Sequence, residues 1–119
     1  MQSFKELIVW QKAIQLVEEV YKLLNYLPNN ERYALSDQIR RSVVSIPSNI
    51  AEGRGRNSER EFIYYLNIAN GSAYELQTQL IICQRLGYLK EEQLVTAYEL
   101  CDEICRILNV MIKKLKANG

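Results

Sequence analysis

The run FIYYLNIANGSAYELQTQLIIC, residues 62–83, decides the fold. Within it Phe62, Leu66, Ala69, Ala73, Leu76, Leu80 and Cys83 recur in unbroken 4-3 spacing, which lays one apolar stripe along an α-helix. Asn70-Gly71 by itself suits a hairpin turn. The 3.6-residue period runs straight through the pair, so the reading is one continuous helix in which Gly71, Ser72 and Ala73 let another helix approach closely.

Working outward, three more segments carry the same period. The first has Trp10, Ile14, Val17, Tyr21 and Leu24, the second Ile39, Val43, Ile46 and Ile50. The last has Leu94, Tyr98, Cys101, Cys105, Leu108, Ile112 and Leu115. Four stripes close around one core. The prediction is a single all-α domain, an antiparallel up-down-up-down four-helix bundle with helices over about 5–27, 31–53, 58–86 and 91–116.

Turn chemistry marks the breaks. Pro28 disfavours helical geometry in Leu27 before it. Gly53-Arg54-Gly55-Arg56-Asn57 separates the second and third helices, and Ser58 with Glu61 reads as a capping box. Gly87 suits the end of the third helix. Pro47 falls inside the second helix, where a lost backbone bond predicts a kink.

The 119 residues suffice for one domain with its own core, needing neither metal nor disulfide. Fifteen Lys+Arg against fourteen Asp+Glu leave +1, so overall charge names no partner. The start of the chain shows no signal-peptide pattern, and no 18-residue apolar run suggests a membrane span. With three cysteines, an odd number, the expectation is reduced thiols in the cytoplasm.

The third helix bears on assembly. From Phe62 to Gln84 its only charge is Glu75, while Ile63, Tyr64, Ile68, Tyr74, Ile81 and Ile82 lie off the core stripe. One bundle covers only part of such a helix, so these six residues are expected to meet another subunit.

Catalysis finds little support. Histidine is absent, which removes the commonest general base and the Glu-x-x-His metal site of helical bundles. Cys101 and Cys105 lie four apart, a spacing open to metal binding, but both sit on the core stripe and no further ligands follow a metal-site pattern. The expectation is no enzyme, no cofactor and no metal. Asn70-Gly71-Ser72 matches a glycosylation sequon but lies within a helix of a chain without a signal peptide.

Basic residues are the remaining candidates. Arg54 and Arg56, with Arg60 nearby, read either as a helix end and turn or as a phosphate-contacting corner. Asp37 lies four residues before Arg41, which suits an intrahelical pair. Gln38, Ser42, Ser45, Asn49 and Glu52 form a polar strip beside the core stripe, either solvated or in contact with another helix or subunit. Lys113, Lys114 and Lys116 form a second basic cluster near the end of a helix whose acids come early, an order that complements the helix dipole.

The chain also resembles a known family. Phe4, Leu7, Val9-Trp10-Gln11-Lys12-Ala13, the stretch from Tyr33 to Ser42, and Ser45-Ile46-Pro47-Ser48-Asn49-Ile50-Ala51-Glu52-Gly53 look like the bacterial 23S rRNA intervening sequence proteins. Glu61-Phe62, Ile68-Ala69, Gly71-Ser72, Glu75-Leu76, Thr78-Gln79-Leu80 and Leu86-Gly87-Tyr88 extend the likeness over about residues 4–90. The resemblance implies a left-handed antiparallel bundle. It is also similar to the accessory protein of diversity-generating retroelements, which implies a homopentamer that binds nucleic acid. Arg40, Glu52 and Glu75 occupy motif positions, as does Arg41. Arg40, Glu52 and Glu75 are read as structural polar pairing across the second and third helices, with an arginine or a polar cluster beside a buried Glu75.

The function expected is a non-enzymatic homo-oligomer binding RNA or DNA through Arg41, Arg54, Arg56, Arg60, Lys113, Lys114 and Lys116. The alternative is a protein–protein scaffold or adaptor with no nucleic-acid role.

Overall fold

The computed structural model describes residues 3–118. Four long helices make up the chain: α1 (Ile8–Leu24), α2 (Leu35–Arg54), α3 (Glu59–Arg85) and α4 (Glu91–Asn118). Short 3-10 turns at Phe4–Glu6 and Asn29–Glu31 precede α1 and α2. The fold is an all-helical four-helix bundle. Each helix packs on two neighbours, α1 on α2 and α4, α3 on α2 and α4, with the most extensive contact between α2 and α3. Ser42 meets Glu75 and Ser45 meets Ser72 across α2 and α3, while Asn70 meets Asn109 across α3 and α4.

The core is the set of apolar stripes. Ile39, Val43, Ile46 and Ile50 of α2 are fully buried, as are Leu66, Ala69, Ala73, Leu76, Leu80 and Cys83 of α3. On α4 the buried set adds Ala97 and Ile104 to Leu94, Cys101, Cys105, Leu108 and Ile112. On α1 the stripe differs from the sequence reading by one position. Val9, Ala13, Leu16, Val20 and Leu23 face the core, whereas Tyr21 is 44% exposed and Trp10, Val17 and Leu24 are half-buried. The two stripes have identical spacing on adjacent positions. Small Ala13 and γ-branched Leu16 point inward, and the larger Trp10 lies at the margin against the Phe4 ring, 5.3 Å away edge-on.

Local chemistry sets the ends. Ser3 and Glu6 form a complete capping box on the Phe4–Glu6 turn, and Leu7 is extended, so α1 begins at Ile8 rather than near residue 5. Pro28 is extended as well, and α2 begins at Leu35, after the Asn29–Glu31 turn, rather than at residue 31. At the start of α3 the Ser58 hydroxyl accepts the Glu61 amide at 3.2 Å. Gly87, at φ 81°, closes α3: its amide donates to Gln84 and the Tyr88 amide reaches back to the Cys83 carbonyl at 2.9 Å. Only glycine adopts this left-handed geometry without cost.

Two positions inside helices carry particular weight. α2 runs on through Pro47, and Ser48 and Asn49 donate from their side chains to the Val44 and Ser45 carbonyls at 2.8 Å each. α3 runs on through Asn70-Gly71. Of Gly71, Ser72 and Ala73, where a close helix approach was expected, Ser72 bonds Ser45 of α2 and Ala73 is fully buried, but a Cβ added at Gly71 meets nothing within 4 Å; the tightest approach at a glycine lies elsewhere. It occurs at Gly53, in the last turn of α2, where an added Cβ would stand 2.7 Å from Tyr65 Cβ and 3.0 Å from Phe62 Cδ1.

Candidate functional site

The basic residues divide by what already engages them. Arg56 is held: its Nη2 lies 3.1 Å from Glu52 Oε2 and donates to the Tyr65 hydroxyl at 2.8 Å, with the guanidinium 5.0 Å from the Tyr65 ring centroid. Arg41 Nε pairs with Asp37 Oδ2 at 3.3 Å, although its side chain is 80% exposed. Arg40 donates to the Arg32 carbonyl at 3.0 Å. Among the described residues Arg54, Arg60, Lys113, Lys114 and Lys116 have no carboxylate within ion-pair distance.

The charges at the α2–α3 corner nearly cancel. Between residues 52 and 61, Arg54, Arg56 and Arg60 are matched by Glu52, Glu59 and Glu61. The α4 end is different. After Glu103 come Arg106, Lys113, Lys114 and Lys116, with no further acid. Arg106 and Lys114 also border a shallow apolar groove lined by Ile107, Val110 and Met111.

The three motif residues read as a pairing network go to separate partners. Glu52 binds Arg56 within the same chain segment, Arg40 binds backbone, and Glu75 accepts the Ser42 hydroxyl at 2.7 Å. Glu75 stands exposed rather than buried, and of the arginine or polar cluster expected beside it the cluster is present: the Ser42 hydroxyl bonds it, and Gln38, Ser45, Ser72 and Gln79 line the same cleft. The polar strip of α2 does contact another helix. Ser45 and Ser72 share a hydrogen bond at 2.8 Å, and Asn49 donates to Ser45 Oγ.

This strip floors a cleft of about 290 Å³ between α2 and α3, lined by Gln38, Arg41, Ser42, Ser45, Ser72, Glu75 and Gln79. The sequence marked Gln79 only as part of the family resemblance and gave it no role. It is 7% exposed, and its Oε1 is buried with no hydrogen-bond partner. Leaving such an acceptor unpaired costs on the order of 1–3 kcal/mol. The available signal was a polar residue in register with Ser72 and Glu75 on the face that meets α2.

Of the residues expected at a subunit interface, Tyr64 (61%), Tyr74 (52%), Ile81 (47%) and Ile82 (40%) are exposed on the single chain. Ile63 and Ile68 are half-buried. The cysteines are free and buried. Burial pushes the Cys83 thiol up to about 11 and the Cys101 thiol up to about 12, and raises that of Cys105. Among the described residues no cluster of three or more His, Cys, Asp or Glu side chains is placed to hold a metal, and no helix is long and apolar enough to cross a membrane.

Comparison with known proteins adds the family. The family model for 23S rRNA-intervening sequence protein matches residues 5–110, nearly the whole bundle. The chain belongs to the 23S rRNA-intervening sequence protein family. Among solved structures, it is similar to a protein of unknown function from the S23 ribosomal protein family of Bacteroides thetaiotaomicron. The two share 32% identity over 89% of this chain and 99% of that one, with a TM-score of 0.82. No curated protein matches. Membership of the family therefore agrees with the bundle read from the apolar stripes.

Proposed function

We propose that this chain is a non-enzymatic, cytoplasmic bundle that assembles into a homo-oligomer and binds RNA or DNA through its basic residues. What supports the reading is that Arg54, Arg60, Lys113, Lys114 and Lys116 have no carboxylate partner among the described residues, and that an up-down-up-down course would bring them to one end of the bundle. The Ser42–Glu75, Ser45–Ser72 and Asn70–Asn109 pairings fit an up-down-up-down course. On that course the α2–α3 corner and the last turns of α4 lie level with each other. Arg54, Arg60, Lys113, Lys114 and Lys116 lack carboxylate partners there and are free to meet phosphate, with Arg41 and Arg56 as further contacts once their own pairs open.

A chain of charge +1 binds weakly by itself. Repeating its basic end around a ring multiplies the phosphate contacts, and the pentamer implied by the family resemblance would supply such a ring. The exposed Tyr64, Tyr74, Ile81 and Ile82 support assembly, since covering them removes apolar area from water. The same face favours a second reading, a protein–protein adaptor in which these residues dock a different protein.

A gel-shift titration of structured RNA and of duplex DNA at rising salt separates the two. Binding at low salt that falls steeply with salt supports the nucleic-acid reading. Replacing Lys113, Lys114 and Lys116 together with alanine should flatten the salt slope by roughly one unit for each phosphate no longer neutralised. No shift at low salt with either nucleic acid would leave the adaptor as the better account.

A further inference from the structure

Two further arginines without carboxylate partners meet at the turn between α1 and α2. A cleft of about 180 Å³ opens there, bordered by Arg32, Ser36 and Arg40 and by the turn residues Asn25, Pro28 and Asn29. No acid lines it. The Arg32 side chain makes no hydrogen bond or ion pair among the described residues, and its guanidinium lies 5.4 Å from the Tyr33 ring centroid. Arg40 donates one N–H to the Arg32 carbonyl at 3.0 Å and pairs with no carboxylate. Glu31 is engaged elsewhere: its oxygens accept the Tyr88 hydroxyl at 2.8 Å and the Leu35 amide at 3.4 Å.

Helical side chains lean toward the N-terminus, so Arg40 reaches back past Ser36, one turn earlier on the same face. Its bond to the Arg32 carbonyl holds its head beside Arg32. Ser36 is 4% exposed, and its hydroxyl borders the cleft without a hydrogen-bond partner. α2 also begins without a side-chain cap at Ala34, so the positive end of its dipole lies at this site. One exposed arginine is satisfied by water. Here two guanidinium forks, a buried hydroxyl and a helix N-terminus converge on one recess with no acid on its walls. A planar carboxylate offers them two oxygens and one charge. A phosphate monoester offers three acceptor oxygens and a charge of about −2, which matches the two arginines.

We propose that this cleft is a binding site for a phosphate monoester group, held by Arg32 and Arg40 with the Ser36 hydroxyl at its floor. The group is carried either by a free phosphorylated compound or by the 5′ end of a nucleic-acid strand. The site is separate from the basic corner already described: Ser36 and Arg54 lie at opposite ends of α2, about 27 Å apart along its axis. It stands whether or not that corner binds nucleic acid.

The probe is phenyl phosphate, titrated into the intact protein while the backbone amide of Ser36 is followed by NMR. Benzoate serves as the carboxylate comparison. The expected result is saturable binding that shifts the Ser36 amide, with phenyl phosphate preferred over benzoate. Loss of a charge-assisted contact in Arg32→Gln should weaken binding roughly tenfold or more. Arg32 is exposed, so that variant keeps the fold. Arg40→Gln and Ser36→Ala should also weaken binding, and Lys5→Gln, outside the cleft, should not. A tetranucleotide with a 5′-phosphate, compared with its 5′-hydroxyl form, identifies the source. Tighter binding of the phosphorylated strand that is lost in Arg32→Gln places the group on a strand end, and equal binding of the two strands leaves a free compound; both support the site. An unmoved Ser36 amide at tens of millimolar phenyl phosphate, or equal binding by wild type and the folded Arg32→Gln variant, overturns it.

Discussion

At the scale of single residues, two glycines within helices make opposite predictions. Gly53 lies where α2 presses on α3, and its missing Cβ leaves room for Tyr65 and Phe62. Gly53→Ala should therefore destabilise the protein by about 1–3 kcal/mol through forced repacking. Gly71 faces open space in the middle of α3. There the same change should stabilise by about 0.5–1 kcal/mol, because alanine loses less backbone entropy. Urea denaturation of both variants checks the pair. A loss at Gly71 would mean that another chain packs against it.

The buried thiols belong to the same scale. Folding raises the thiols of Cys83 and Cys101 from the usual 9.0 to about 11 and about 12, chiefly through burial. The folded state thus holds these protons more tightly than the unfolded one. Their contribution to stability is complete below pH 9 and is lost as pH rises toward 12. Thermal melts from pH 8 to 11 should show Tm falling, less so in a Cys101→Ala variant. At pH 8, a thiol reagent should label none of the three cysteines quickly until denaturant is added.

At the scale of the element, termini carry more of the specification than helix interiors. Ser58→Ala removes the hydroxyl that accepts the Glu61 amide and should cost about 1 kcal/mol, read from the urea midpoint. The start of α3 was legible because Ser58 and Glu61 sit at cap spacing. The starts of α1 and α2 were less legible. Ser3 with Glu6 forms a cap of its own, and the residues after Pro28 form a 3-10 turn before α2 begins. Periodicity marks a helix's middle, whereas its first residue depends on which amides find acceptors. The stripe of α1 was displaced for a related reason. Two adjacent sets of apolar residues share its spacing, and only the neighbouring helices decide which one turns inward.

For the whole molecule, the coverage of α3 becomes a measurement. Ile81 is 47% exposed on the single chain, so Ile81→Lys should alter the stability of an isolated bundle by less than about 0.5 kcal/mol. If α3 forms the subunit interface, the same change should reduce the particle mass in light scattering toward that of one chain. An unchanged mass with an unchanged fold would place the interface on another face.

Sequence alone determined the number of helices, their rough extents and most of the buried positions on α2, α3 and α4, because burying apolar area imposes a 3.6-residue period that survives in one dimension. The motif from Ser45 to Gly53 also carried the family. What only the tertiary structure decided was pairing between distant residues. Ser42 with Glu75, Gly53 against Tyr65, and the orphaned Gln79 acceptor join α2 to α3 or lie at their junction. Nothing in the local spacing of either helix states which residue of the other it will face. Hydrogen bonding and close packing depend on ångström-scale registration between helices, and that registration arises only when the whole core closes.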